Sequence, residues 1–138
     1  MKSMITKTRL DNGLTVLLKE MHHAPVATFM IWYRVGSRNE LPGHTGASHW
    51  VEHMMFKGTP QTPGDVMERM ISREGGYWNA FTWLDYTAYY ETMPSNRIDI
   101  ALRLEADRMV NTIMTPDEVE SERTVILSER SMYENQPR

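Results

Sequence analysis

The chain has 138 residues, enough for one domain with a buried core and too few for two ordinary ones. Apolar residues make up 41% and charged residues 24%; the net charge is −3, with no run among the 15 Lys and Arg, so the basic footprint of a nucleic-acid binder is excluded and the composition fits a soluble globular protein. There is no cysteine, so disulfides and thiolate metal sites are excluded and any metal must be held by His, Asp or Glu.

Residues 1–18 lack the apolar core of a signal peptide, and no run approaches the ~18 apolar residues of a membrane span. The expected location is the cytoplasm. Residues 8–20 alternate around Asp11-Asn12-Gly13, a strong hairpin signal. Residues 26–36 are β-branched and aromatic, end at Gly36, and read as a central strand. A loop with Pro42 and Gly43 follows. Thr45 then reads as the N-cap of a helix that runs to about residue 57, where Gly58 and Pro60 stop it. A second helix is predicted over 63–73, ending before Gly75-Gly76. Residues 77–83 and 86–93 flank Leu84-Asp85 and read as an antiparallel strand pair.

Pro94 and Ser95 open a third helix over 96–111. Thr115 caps a fourth, with Pro116 in its first turn and Asp117 and Glu118 beside the positive end of its dipole; it runs to about residue 134. The order is ββ, β, αα, ββ, αα. Without strict βαβ alternation this predicts an α+β fold. No strand follows the fourth helix, so the sheet is expected to lack a closing strand. The 12 Met are expected to act as adaptable core packing.

His49, Glu52 and His53 fall within five positions of the first helix. Residues four apart on a helix differ by about 40° in azimuth and one turn of about 5.4 Å, so both imidazoles can aim at one point. Glu52 sits on a neighbouring azimuth. Two His at this spacing with a carboxylate nearby is what a hydrolytic zinc site needs, and the order H-x-x-E-H is a known inverted zinc motif. An amphipathic helix with three surface polar residues has the same pattern, so a third ligand must decide.

The fourth helix offers candidates. Val119, Glu122, Ile126, Glu129 and Tyr133 form one stripe, which puts two carboxylates on the face where Val, Ile and Tyr should meet the core. A buried carboxylate is costly unless paired or bound to a metal. The helix can instead roll to bury Val125 and Met132. Alternatively, each Glu can pair with Arg123, Arg130 or an Arg of the third helix. Glu105 also lies on an apolar stripe and is expected to form a structural ion pair with an Arg of a neighbouring helix. His22, His23 and His44 have no partner at ligand spacing and read as exposed or capping. Tyr86, Tyr89 and Tyr90 read as packing.

The sequence resembles the N-terminal catalytic domain of the pitrilysin/insulinase family of zinc metallopeptidases, which includes the mitochondrial processing peptidases. The matching residues are His49, Glu52 and His53 followed by Met54-Met55-Phe56-Lys57-Gly58-Thr59; the stretch from Gly75 through Asn79, Ala80, Thr82, Asp85 and Thr87 to Tyr90; Leu104-Glu105-Ala106-Asp107-Arg108-Met109; and the segment from Glu122 to Arg130. These blocks reach from Leu10 to the last residues. The distance from His53 to Glu129 is the one the family pattern asks for.

The resemblance implies an antiparallel or mixed sheet with helices on one face. It identifies residues 1–138 as the N-terminal portion of one zinc metallopeptidase domain, with the C-terminal part missing. It implies one Zn²⁺ held by His49, His53 and Glu129, with Glu52 as general base on a water at the metal and Glu122 orienting a ligand from outside. Asn79 and Ala80 would lie on an edge strand that receives substrate by strand addition. A second homologous domain or subunit would supply a Tyr and an Arg to the transition state. The implied function is a zinc-dependent metalloendopeptidase acting on peptides or unfolded proteins, with this chain alone inactive. Two other readings stand beside it: a non-catalytic partner or scaffold subunit of the same fold, and a metal-free interaction module.

Overall fold

Asn12 and Gly13 close the first hairpin in a computed structural model that describes residues 5–135. Residues 1–4, part of the stretch read for a leader, and 136–138, part of the closing stretch, lie outside the described residues. β1 (Ile5–Arg9) pairs antiparallel with β2 (Thr15–Lys19), Ile5 opposite Lys19. Gly13 takes a left-handed φ of +89°, and Asn12 Oδ1 accepts from the Leu14 N–H at 3.1 Å. The hairpin is a two-stranded sheet of its own and is exposed along both strands.

The second sheet is antiparallel and has the order β3 (Val26–Tyr33), β5 (Thr87–Pro94), β4 (Tyr77–Thr82). Four helices complete the chain: α1 (Ala47–Met55), α2 (Gly64–Arg73), α3 (Ile98–Asn111) and α4 (Pro116–Glu134). This is the expected α+β order, with helices on one sheet face. The predicted centre of the sheet is corrected: β5 is central, and β3 is an edge of the described sheet. Of the β3 aromatics, Phe29 and Tyr33 pack inward against the core, and Trp32 serves the outer sheet face. There Trp32 meets Phe81 and Tyr86 edge-on, with ring centroids 5.8 and 5.0 Å apart, and Phe81 and Tyr90 continue the layer. Tyr86 and Tyr90 pack in this layer and Tyr89 in the core, as read.

The inner face follows strand alternation. Ile31 stands opposite Tyr89, Phe29 opposite Glu91, and Ala80 opposite Tyr89 on the other side. Two apolar clusters form under it. Met67 and Ile71 of α2, Ile100, Ala101 and Leu104 of α3, and Met93 make one; Ile31, Met55 and Tyr89 make the other. Met54, Met55, Met67 and Met93 are buried, whereas Met21, Met109 and Met132 are among those left exposed, so the core-packing role belongs to part of the set. Among the described residues, no helix is long and apolar enough to cross a membrane.

Arg108 lies buried next to these clusters. Its guanidinium stacks over Tyr89 at 4.5 Å and over Phe56 and Trp78 at 5.6 Å each. It contacts Glu105 directly and Glu91 at 3.6 Å. The ion pair expected for Glu105 is therefore made within its own helix, one turn away, with Glu91 arriving from β5 rather than from a neighbouring helix. A second buried carboxylate beside one guanidinium would be an uncompensated charge away from water, which is costly. Burial, then the Glu105 carboxyl beside it, push Glu91 up to about 9 against the opposing pull of Arg108. Folding thus holds a proton on Glu91 that the unfolded chain releases near pH 4.5. A raised folded pKa stabilises fully below the unfolded value, and that stability is lost as pH rises towards the folded one. Urea unfolding between pH 5 and 8 should show stability falling by at most about 1.4 kcal/mol per pH unit from this group. Glu91→Gln should flatten that slope, and an unchanged slope would show that Glu91 does not hold the proton.

Candidate metal centre

Three of the four residues that converge here are held by α1, so its start matters. Gly46 is the N-cap, at a left-handed φ of +96°; the predicted Thr45 cap is corrected. The capping acceptor comes from further back: Glu40 takes the N–H groups of Gly46 and Ser48 at 2.8 Å each. A carboxylate at this end also meets the positive pole of the helix dipole. Burial opposes ionisation of Glu40, but the two amide hydrogen bonds outweigh it and hold its carboxyl below the usual range. Sequence reasoning missed this cap because a longer-range carboxylate leaves no N-cap signature.

From this anchored start, His49 and His53 emerge one turn apart with their rings at 89° to each other and Nε2 atoms 3.0 Å apart. α4 supplies the facing group. Val119, Glu122, Ile126 and Glu129 turn inward on its stripe, while Val125 and Met132 stay exposed, so the helix is not rolled. Tyr133, expected on the same stripe, is 73% exposed: the helix has passed the edge of the body by then. Glu129 Oε2 lies 3.3 Å from His53 Nε2 and 3.6 Å from His49 Nε2. These three ligand atoms fall within 4.8 Å of one another.

The donor chemistry fits a cation. Glu122 Oε1 lies 2.8 Å from His53 Nδ1; an ionised carboxylate only accepts, so Nδ1 carries the hydrogen. In the neutral ring His53 Nε2 is then the lone pair, and it faces a second imidazole nitrogen and a carboxylate oxygen. A cation between them would satisfy all three donors at once. A tetrahedral zinc with ligands at about 2.05 Å has ligand–ligand edges of about 3.3 Å. The observed separations of 3.0, 3.3 and 3.6 Å bracket that value. His49 and Glu129 are 39% and 37% exposed against 16% and 10% for His53 and Glu122, so the open side of the cluster is the His49–Glu129 side.

Glu122 pairs with none of the arginines considered, those of the third helix included. Arg123 binds Glu120, Arg130 binds Glu134, and Glu122 is held by Lys57 at 2.6 Å, with Glu118 at 3.3 Å from the same ammonium. Burial disfavours the Glu122 carboxylate, but hydrogen bonds from Lys57 and His53 outweigh it and hold its pKa below the usual range. The bond to Glu122 raises the Lys57 ammonium in turn. Lys57 was not predicted, although it stands four residues beyond His53. Glu52 is buried and its Oε2 accepts from the Thr82 hydroxyl at 2.5 Å, which ties α1 to β4.

The other expected site residues lie on β4. Ala80 shares the inner face with Thr82, and Asn79 points to the outer face, where its amide donates to the Tyr77 hydroxyl at 2.8 Å. β4 is an edge strand of the described sheet, and the Ala80 N–H donates to Asn79 Oδ1 at 2.8 Å. Glu105 has no part in the cluster, and His22, His23 and His44 are exposed and away from it.

A family model described as Insulinase (Peptidase family M16) matches residues 15–138. An uncharacterized zinc protease of Streptomyces coelicolor is 35% identical over 133 residues, covering 96% of this chain and 29% of the relative. Subunit 1 of the mitochondrial cytochrome b-c1 complex of Bos taurus is 38% identical over 122 residues, covering 88% of this chain and 25% of the relative. The crystal structure of a protease from Helicobacter pylori superposes with a TM-score of 0.91 at 32% identity, covering 98% of this chain and 33% of that one. The chain thus spans between a quarter and a third of the length of these relatives.

The Thr82–Glu52 contact carries its own test. Thr82→Val removes the one hydroxyl donor to a buried carboxylate and should cost about 1–3 kcal/mol in urea unfolding. An unaltered midpoint would mean that Glu52 does not depend on β4.

Proposed function

Because the chain belongs to the insulinase family of peptidases, we propose that it is the zinc-binding part of a metalloendopeptidase acting on peptides or unfolded proteins. The observation that carries this is the meeting of two imidazole nitrogens and a carboxylate oxygen within 4.8 Å, beside a buried Glu. His49, His53 and Glu129 would hold the metal. When bound, zinc supplies Lewis acidity to a peptide carbonyl and lowers the pKa of water to about 7.

The chain's own groups do the rest. Thr82 occupies Glu52 Oε2 and leaves Oε1 to accept a proton from water and return it to the leaving amine. Glu122 takes the Nδ1 hydrogen of His53, which fixes the tautomer and turns the Nε2 lone pair inward. Lys57 keeps Glu122 ionised, so that it can go on accepting. The free edge of β4 at Asn79 and Ala80 would take a peptide as an added strand, with Ala80 exchanging its Asn79 contact for the substrate main chain. A second homologous domain or subunit would close over the exposed His49–Glu129 side.

A second reading, a non-catalytic subunit of the same fold, has support in the 38% identity to a cytochrome b-c1 complex subunit. The peptidase reading is preferred because three donors and a base stand together; a scaffold needs none of them. Metal analysis and turnover separate the two. His49→Ala should lose most of its zinc, and full retention would sink the ligand assignment. Glu52→Gln in an intact parent, with the second domain or subunit present, should keep zinc and lose about 10²–10⁴-fold in peptide hydrolysis. Loss of zinc in that variant would make Glu52 a ligand rather than a base.

A further inference from the structure

We infer that Trp83 and Leu84 form a pocket for one apolar side chain of the peptide substrate, at the residue bordering the bond that is cut; this rests on the peptidase reading. A cavity of about 300 Å³ is lined by Ser37, His49, Thr82, Trp83 and Leu84. Two of its walls belong to the site already described: His49 is in the donor cluster, and Thr82 holds Glu52. The other walls are unused by the mechanism. A side chain resting there would leave its own backbone beside Glu52.

The size and lining set the chemistry. Ligand cavities begin at about 300 Å³, so this one has room for a single side chain rather than a longer segment. Among the lining residues none but His49 is titratable. Arg38 and Asp85, each next in the chain to a lining residue, are paired with each other at 2.8 Å. Trp83 and Leu84 are 63% and 49% exposed, large apolar groups that gain by being covered.

The turn that carries them is fixed. Ser37 and Arg38 donate their N–H groups to the Trp83 and Leu84 carbonyls at 3.1 and 2.9 Å, and the Trp83 N–H closes on Tyr86 at 2.8 Å. Gly36 makes this approach possible, because a Cβ there would sit 2.2 Å from the Trp83 carbonyl oxygen. Two exposed apolar side chains on a backbone held at three points lose little freedom on binding, which is how a recognition surface differs from a loose loop.

Peptide binding tests the pocket without turnover. The Glu52→Gln chain is titrated, with and without zinc, with an alanine-based nonapeptide in which one Leu is moved through the central positions. One position should bind about 10-fold or more tighter with Leu than with Ala. In the Glu52→Gln/Trp83→Ala chain that advantage should fall below about twofold, and Trp83→Phe should restore most of it. Leu84→Ala, at a second exposed position, gives the same readout if the Trp83 variant does not fold. An advantage that survives both alanine variants, or no advantage at any position, overturns the pocket. Turnover by an intact parent with Trp83 unmutated, the second domain or subunit present, reads the other proposal separately. Peptides bound with a Trp83-dependent preference yet never cut would keep the pocket and remove the peptidase. Cleavage with no dependence on Trp83 would do the reverse.

Discussion

The contact between α1 and α4 is the interaction on which the site depends. α4 brings few apolar groups to the body: Glu122 is its buried residue, and Val125, Leu127 and Met132 face solvent. What joins it to α1 is a polar chain. Lys57 holds Glu122, Glu122 holds His53, and Glu129 faces both imidazoles. Each link also answers a local need. A buried carboxylate must be paired, and Lys57 pairs it. An imidazole must present a lone pair to bind a cation, and Glu122 selects that tautomer. The requirements of docking and of donor geometry are met by the same atoms.

The sheet supplies the opposite side. Thr82 reaches Glu52 from the inner face of β4, and the next two residues turn outward into a tied loop. Behind them, Arg108 sits among three aromatic rings and two carboxyls, next to the apolar clusters. Phe56, which follows α1, belongs to that cage, so the end of the histidine-bearing helix is wedged against the sheet by a cation as well as by apolar contacts.

Local pattern made much of this legible. The Asn12-Gly13 turn, the Thr115 cap with Pro116, and the break at Gly75-Gly76 each have a chemical reason within a few residues, and the elements begin and end beside them. The spacing of His49 and His53 and the stripe holding Glu122 and Glu129 carried the cluster, because helical periodicity fixes which side chains share a face. What stayed hidden depends on partners far along the chain. Strand order made β5 central and left β3 at an edge, and no feature of β3 alone encodes that. Glu40 caps α1 across a loop, Lys57 meets Glu122 across two helices, and Glu105 found its arginine one turn away because the cage of rings already held Arg108 there.

The polar attachment of α4 has a thermal consequence. Heat-capacity change on unfolding comes mainly from apolar surface newly exposed to water. Separating α4 from α1 would expose the half-buried Val119 and Ile126 together with imidazole, carboxylate and ammonium groups. Apolar and polar exposure shift the heat capacity in opposite directions, so its docking free energy should curve less with temperature than that of the sheet and its Met, Ile and Leu clusters. On cooling, the two parts of the molecule would weaken unequally: the apolar body loses more driving force than the helix that completes the cluster.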